Sequence, residues 1–158
     1  MKKKSQRRFA REKVLQALYA YQLNGEGLTK HSDAMLLEIR SEHDRAFGRK
    51  LINSVVANSD ELNSNIQDKV SNWEIERIAV IDKILLRMGI AEMLYFEDIP
   101  PKVSINEVID MSKEFSSANS GKFINGILDA ILTDLKNEGK LNKVGRGLLN
   151  KKISTDEE

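Results

Sequence analysis

The side chains able to do chemistry crowd the amino end of the chain. Residues 1–13 hold seven bases, Lys2, Lys3, Lys4, Arg7, Arg8, Arg11 and Lys13, against the single acid Glu12. The chain as a whole carries only +1, so these thirteen residues hold +6 and the remainder −5. A guanidinium donates two parallel hydrogen bonds to a phosphate, and Arg7 and Arg11, four residues apart, share a helical face. The chemistry on offer is polyanion binding, with a merely solvated basic terminus as the alternative.

Nothing comparable suggests bond making or breaking. His31 and His43 stand far apart without carboxylates at ligand spacing, and there is no cysteine, so neither a metal site nor a disulfide framework is expected. The phosphate-binding loop, the dinucleotide glycine fingerprint and the nucleophile elbow are all missing. Gly145-Arg146-Gly147 lacks the lysine and hydroxyl that a phosphate loop needs and reads as linker. Two carboxylates do stand out. Asp82 and Glu92 fall among Ile81, Leu85, Gly89 and Met93, an apolar arc on which an acid is either paired in the core or exposed at an interface.

The elements that must position these groups read as helices. Val14, Leu15, Leu18, Tyr19 and Gln22 recur at three-and-four spacing, which predicts a helix from Ser5 to Leu23 closed by Asn24-Gly25. A polar linker and a short helix around Met35 to Ile39 follow. Phe47, Leu51, Ile52 and Val55 continue the pattern, and Asn58-Ser59-Asp60 punctuates it before Leu62, Ile66 and Val70. In the central segment Glu76, Lys83 and Arg87 share one narrow stripe of an otherwise apolar helix, which predicts neighbours all round it. Pro100-Pro101 stops that helix. Ser104-Ile105-Asn106-Glu107 has capping-box spacing for the next, which runs to Phe115. Ser116 to Ser120 breaks it. A last helix carries Phe123, Ile124, Ile127, Leu128, Ile131, Leu132 and Leu135 to Gly139, with Gly126 marking a close crossing.

One domain is therefore expected over residues 1–139, with a flexible charged tail at 140–158. At 158 residues the chain is long enough to bury a core without staples. Asp82, Lys83, Arg87 and Glu92 interrupt its most apolar stretch, Ile78 to Phe96, which excludes a membrane span there. No apolar segment follows the basic start, so a secretory signal is not expected, and a cytoplasmic protein fits best.

The ordered blocks resemble one family, the bacterial transcription antitermination factor NusB. They are Arg7-Arg8-Phe9-Ala10-Arg11-Glu12 with Gln16-Ala17-Leu18-Tyr19, then Asp82-Lys83-Ile84-Leu85-Leu86-Arg87 with Glu92. Pro101-Lys102-Val103-Ser104-Ile105-Asn106-Glu107 and Lys122-Phe123-Ile124-Asn125-Gly126-Ile127-Leu128-Asp129 complete the set. Together they span roughly residues 5 to 135.

The resemblance implies an all-α bundle of about six to seven helices in two packed subdomains. It implies no enzyme and no cofactor, but a factor that binds single-stranded boxA RNA together with the NusE ribosomal protein of the small subunit. That complex joins RNA polymerase and promotes read-through of ribosomal RNA operons. By position, the RNA-binding residues fall on Lys4, Arg7, Arg8, Arg11, Phe115, Asn119, Lys122 and Phe123, and the partner-binding ones on Tyr19 and Asp82. The family often has Asp-Ser-His-Lys-Phe where this chain has Asn119-Ser120-Gly121-Lys122-Phe123; this exchanges an acid for an amide and removes a histidine. Aromatic rings offer stacking platforms for unpaired bases, although Phe115, Phe123 and Tyr19 also stand at core-like spacing. Two other readings stay open: a stand-alone NusB-like accessory module of an RNA cytosine methyltransferase, and a protein-interaction bundle that binds no RNA. Whether the free protein forms a homodimer is also open.

Overall fold

A computed structural model describes residues 5–149, with only the backbone described for Asn72, Trp73 and Glu74. Among these residues there are eight α-helices, one turn of 3-10 helix at Gly145–Leu148, and no strand. The helices are α1 (Gln6–Asn24), α2 (Leu28–Leu36), α3 (Glu42–Ala57), α4 (Ser59–Gln67), α5 (Asn72–Arg77), α6 (Val80–Tyr95), α7 (Pro101–Phe115) and α8 (Ser120–Asn137). The all-α class is as expected, with slightly more helices. The chain divides after Asn58 into two compact units.

The first unit packs α1, α2 and α3 on one another. Ser5 caps α1 by accepting from the Arg8 amide at 3.0 Å, and Gly25 closes the helix in the left-handed region at φ 72°. The core is Ala10, Val14, Leu15 and Leu18 of α1 with Leu36, Ile39, Phe47, Leu51 and Ile52. The short second helix starts earlier than the apolar pattern indicates. Gly27, at φ 77°, turns the chain straight into α2 at Leu28, and the helix stops at Leu36.

In the second unit α6 packs against α4, α7 and α8. From Ile84 to Met93 it is buried almost without interruption, and Lys83 and Arg87 keep to its wetter side. Glu76 does not share their stripe, because α5 ends at Arg77 and α6 begins only at Val80. The close crossing also falls elsewhere than Gly126. A Cβ on Gly126 would meet nothing within 4 Å, whereas one on Gly89 would stand 3.0 Å from Leu128 Cδ1, so Gly89 is where α6 and α8 draw together. The start of α7 is a further difference. Pro101 takes its first turn, where a missing N–H costs nothing, and this leaves Ser104 inside the helix. Its hydroxyl donates to Glu92 Oε1 at 2.9 Å, and both residues are fully buried.

Residues 140–149 depart from the flexible tail expected after residue 139. The Lys143 ammonium donates to the carbonyls of Glu92 (3.1 Å) and Phe96 (2.6 Å), capping the end of α6 with a cation where the helix dipole favours one. The Val144 amide donates to the Glu97 carbonyl at 3.0 Å. Gly147 is buried so closely there that a Cβ would fall 1.9 Å from that same carbonyl oxygen. Glycine periodicity carries no trace of such an approach, so Gly145-Arg146-Gly147 reads as linker in sequence.

Two measurements check this packing. By urea denaturation, Gly126→Ala should stabilise the protein by about 0.5–1 kcal/mol, while Gly89→Val should destabilise it by about 1–3 kcal/mol through overpacking against Leu128. The Tyr95 hydroxyl, which donates to Glu61 Oε2 at 2.8 Å between α6 and α4, is pushed up to about 12 by desolvation and by that hydrogen bond and charge. The link is intact below the ordinary tyrosine value of 10.0 and is lost as pH rises through about 12. A phenolate absorbance titration should show one late tyrosine, which Glu61→Gln brings back toward the ordinary range.

Candidate nucleic-acid interface

The helical spacing does put Arg7 and Arg11 on one face of α1, but that face turns toward α3. Arg7 Nε donates to Asp44 Oδ1 at 2.9 Å, and its guanidinium carbon stands 4.2 Å from the centre of the Phe47 ring. Arg11 approaches the same ring at 5.1 Å and is only 1% exposed. Both cations thus take part in the packing of the first unit, where ring face and carboxylate replace water. Arg7 remains half-buried at its edge, and so does Arg8. Lys4 lies outside the described residues. Lys13, also half-buried, pairs with Glu38 at 3.0 Å. Asp44 and Phe47 lie more than thirty residues from the arginines they hold, and only the helical pattern of Phe47 hinted at burial.

Tyr19 is 37% exposed and stands one turn before Leu23, itself 64% exposed, near the end of α1. These two side chains leave an exposed spot one helical turn long on the first unit.

In the second unit three of the predicted residues, Asp82, Asn119 and Phe123, converge, while Phe115 and Lys122 do not line the same surface. Asp82, Ser116, Ser117, Asn119, Ser120 and Phe123 line one open groove of about 580 Å³, with Arg77, Ile78 and Ala79 completing its wall. The groove lies where α6 and α8 begin. Ala79 and Asn119 occupy their N-cap positions, and neither side chain makes a capping bond. Phe123 is 37% exposed on the wall; Phe115 is half-buried at the end of α7; Lys122 is exposed in the first turn of α8. Asp82 therefore stands with the residues expected to face RNA.

A chain of hydroxyls holds this corner. Ser120 Oγ donates to Asp82 Oδ2 at 2.8 Å, joining the starts of α6 and α8. It lies 3.1 Å from Ser116 Oγ and 2.9 Å from Ser117 Oγ. A hydroxyl has one proton, and that of Ser120 is committed to the carboxylate, so Ser116 and Ser117 are the donors in those two contacts. Ser117 Oγ also accepts from the Ser120 amide at 3.3 Å. The break from Ser116 to Ser120 is legible in sequence; its link to Asp82 is not. Asp82 Oδ1 is buried and has no hydrogen-bond partner among the described residues. Gly121, the departure from the family's histidine, is buried against α7, where a Cβ would meet Ile109 and Ser112 at 3.5 and 3.6 Å.

Among the described residues, no group of three or more His, Asp or Glu could hold a metal ion, and no helix is long and apolar enough to cross a membrane.

Comparison with known proteins defines the class. The fold matches NusB of T. maritima at a TM-score of 0.76 and 32% identity, covering 84% of this chain and 94% of that one. It also matches a chain from a complex of the antitermination factors NusB and NusE with double-stranded RNA, at a TM-score of 0.74 and 27% identity, covering 82% and 97%. The transcription antitermination protein NusB of Chloroherpeton thalassium is 45% identical over 90% of this chain and 69% of its own length. That of Salinibacter ruber is 43% identical over 92% of each. Residues 8–133 match the model of the NusB family. The chain belongs to the NusB family.

If the Ser120 bond holds α6 to α8, Ser120→Ala should cost about 1–3 kcal/mol in urea denaturation, because it leaves a buried carboxylate with no donor. In an Asp82→Asn background the same substitution should cost less, as a double-mutant cycle would show.

Proposed function

We propose that this chain is a transcription antitermination factor without catalytic activity. It binds boxA RNA together with the NusE ribosomal protein of the small subunit, within an RNA polymerase complex in the cytoplasm, and promotes read-through of ribosomal RNA operons. The observation that carries the reading is the convergence of Asn119 and Phe123 in one open groove at two helix starts. The solved relative with NusE and double-stranded RNA, and relatives named as antitermination proteins, support it.

The cationic contribution divides between direct and indirect roles. Arg8, Lys122 and Lys4 are assigned to phosphate contact. Arg7, already paired with Asp44, adds its charge from the edge of the same helix. Arg11 acts by fixing the start of α1 against Phe47. Phe123 offers a ring to a base, with Phe115 beside it in sequence at the preceding helix end. Tyr19, with Leu23, is assigned to the ribosomal partner. Asp82, which lines the groove, is likewise assigned to the ribosomal partner.

Binding to a boxA strand should weaken in Arg8→Glu and Lys122→Glu. Affinity should fall by about 0.7 log units per log unit of salt for each phosphate neutralised on the single strand. Gel shifts or anisotropy with and without the ribosomal partner test this, and binding that ignores salt and both substitutions would overturn it.

A further inference from the structure

Residues 140–149 lie past residue 133, where the family match ends, and dock on the far end of α6 from the groove. The sixteen residues of α6, at about 1.5 Å each, separate the two places by about 24 Å. What seats the segment is polar. The Lys143 ammonium reaches the carbonyls of Glu92 and Phe96, and the Val144 amide reaches that of Glu97. Gly147 fits over the same Glu97 carbonyl only because it has no side chain. Burial of apolar surface adds little, since Val144, Leu148 and Leu149 are all exposed and Leu141 is half-buried.

The helix beneath is held in the opposite way. Leu85, Leu86, Met88 and Ile90 are fully buried, so α6 cannot open without exposing the core of the second unit. The segment can leave without that cost. Its departing groups, an ammonium, a backbone amide and three helix-end carbonyls, all regain hydrogen bonds from water. Its base is built to pivot: Gly139, just past the end of α8, stands in the left-handed region at φ 68°, and Gly145 repeats this at φ 53°.

We propose that residues 140–149 are a latch that pivots at Gly139 and opens as one unit while α4, α6, α7 and α8 stay folded. Closed, it places the Lys143 cation on the negative end of the α6 dipole. Open, it bares the carbonyls of Glu92, Phe96 and Glu97. Lys143 is the bolt, because it alone brings a charge to that helix end, and Gly147 is the seat, because any Cβ there collides with backbone rather than with a side chain that could move.

Native-state hydrogen exchange on the full wild-type chain tests this without any variant. The Val144 amide should be protected relative to a free peptide, yet by a factor at least about tenfold smaller than the Leu86 amide inside α6. Low urea should speed exchange at Leu86 and leave Val144 unchanged, because the urea dependence follows the surface exposed on opening. Lys143→Met, which keeps the aliphatic stem, should lower the protection of Val144 about tenfold or more and leave Leu86 as it is. Gly147→Ala should abolish it and admit trypsin after Lys143 and Arg146, with the helical circular dichroism retained. Equal protection and equal urea dependence at Val144 and Leu86 overturn the proposal, since the segment then opens only with the whole unit. A wild-type Val144 amide with no protection overturns it too, since nothing is then latched, and so does a Gly147→Ala chain that loses its helices.

Discussion

Taking a carboxylate out of water costs several kcal/mol unless hydrogen bonds replace the lost solvent. Helix α6 carries two, Asp82 and Glu92, at 6% and 0% exposure, and the rest of the second unit is arranged around meeting that cost. Ser104 comes from α7 and Ser120 from α8, so each hydroxyl donates to one oxygen of an acid and at the same time fixes one helix against α6. Packing alone would allow these helices to slide, since Leu, Ile and Met contacts vary little with register. Two directional bonds do not allow it. Gly89 then lets α8 come close enough for the second bond to form.

The first unit solves the mirror-image problem with cations. Arg11 is almost wholly buried and Arg7 half so, and the face of Phe47 with the carboxylate of Asp44 takes the place of their hydration. The amino-terminal charge that looks from composition like one surface cluster is thus split. Arg7 and Arg11 are structural, setting where α1 begins against α3. Counting Lys and Arg overstates the charge open to a polyanion, because a guanidinium is the one charged group whose flat, weakly hydrated form suits it to both duties.

Most of the helices were legible because their apolar spacing and their stops are local properties: Ser5 and Gly25 bracket α1, and Pro100-Pro101 separates α6 from α7. What was not legible depends on partners distant in sequence. Gly147 and Lys143 seat the last described residues on the end of α6 through carbonyls some fifty residues earlier. Ser104 looks like a cap because its spacing to Glu107 fits one; its true acceptor, Glu92, lies across the proline turn. The candidate site shows the same division. Asn119, Lys122 and Phe123 were placed by family resemblance, and Asp82 was marked by its apolar arc. That Asp82 and Asn119 share a groove, and that three serine protons are committed to one another and to Asp82, follows only from geometry.

The corner where α6 and α8 begin ties two helix starts together through one set of atoms. A helix start needs acceptors for its exposed amides, and side chains usually supply them; here neither N-cap side chain does so. Ser117 takes the Ser120 amide instead, and Asp82 and the serines are otherwise engaged with one another. Asn119 at the second helix start, where the resembled family often has an acid, leaves the groove one charge fewer, while the amide side chain retains both a donor and an acceptor. Gly121 leaves that balance untouched, because its missing side chain would have started against α7 rather than in the groove. The two departures from the family pattern therefore differ in kind: Asn119 changes the electrostatics at the mouth of the groove, and Gly121 changes only the contact between α7 and α8.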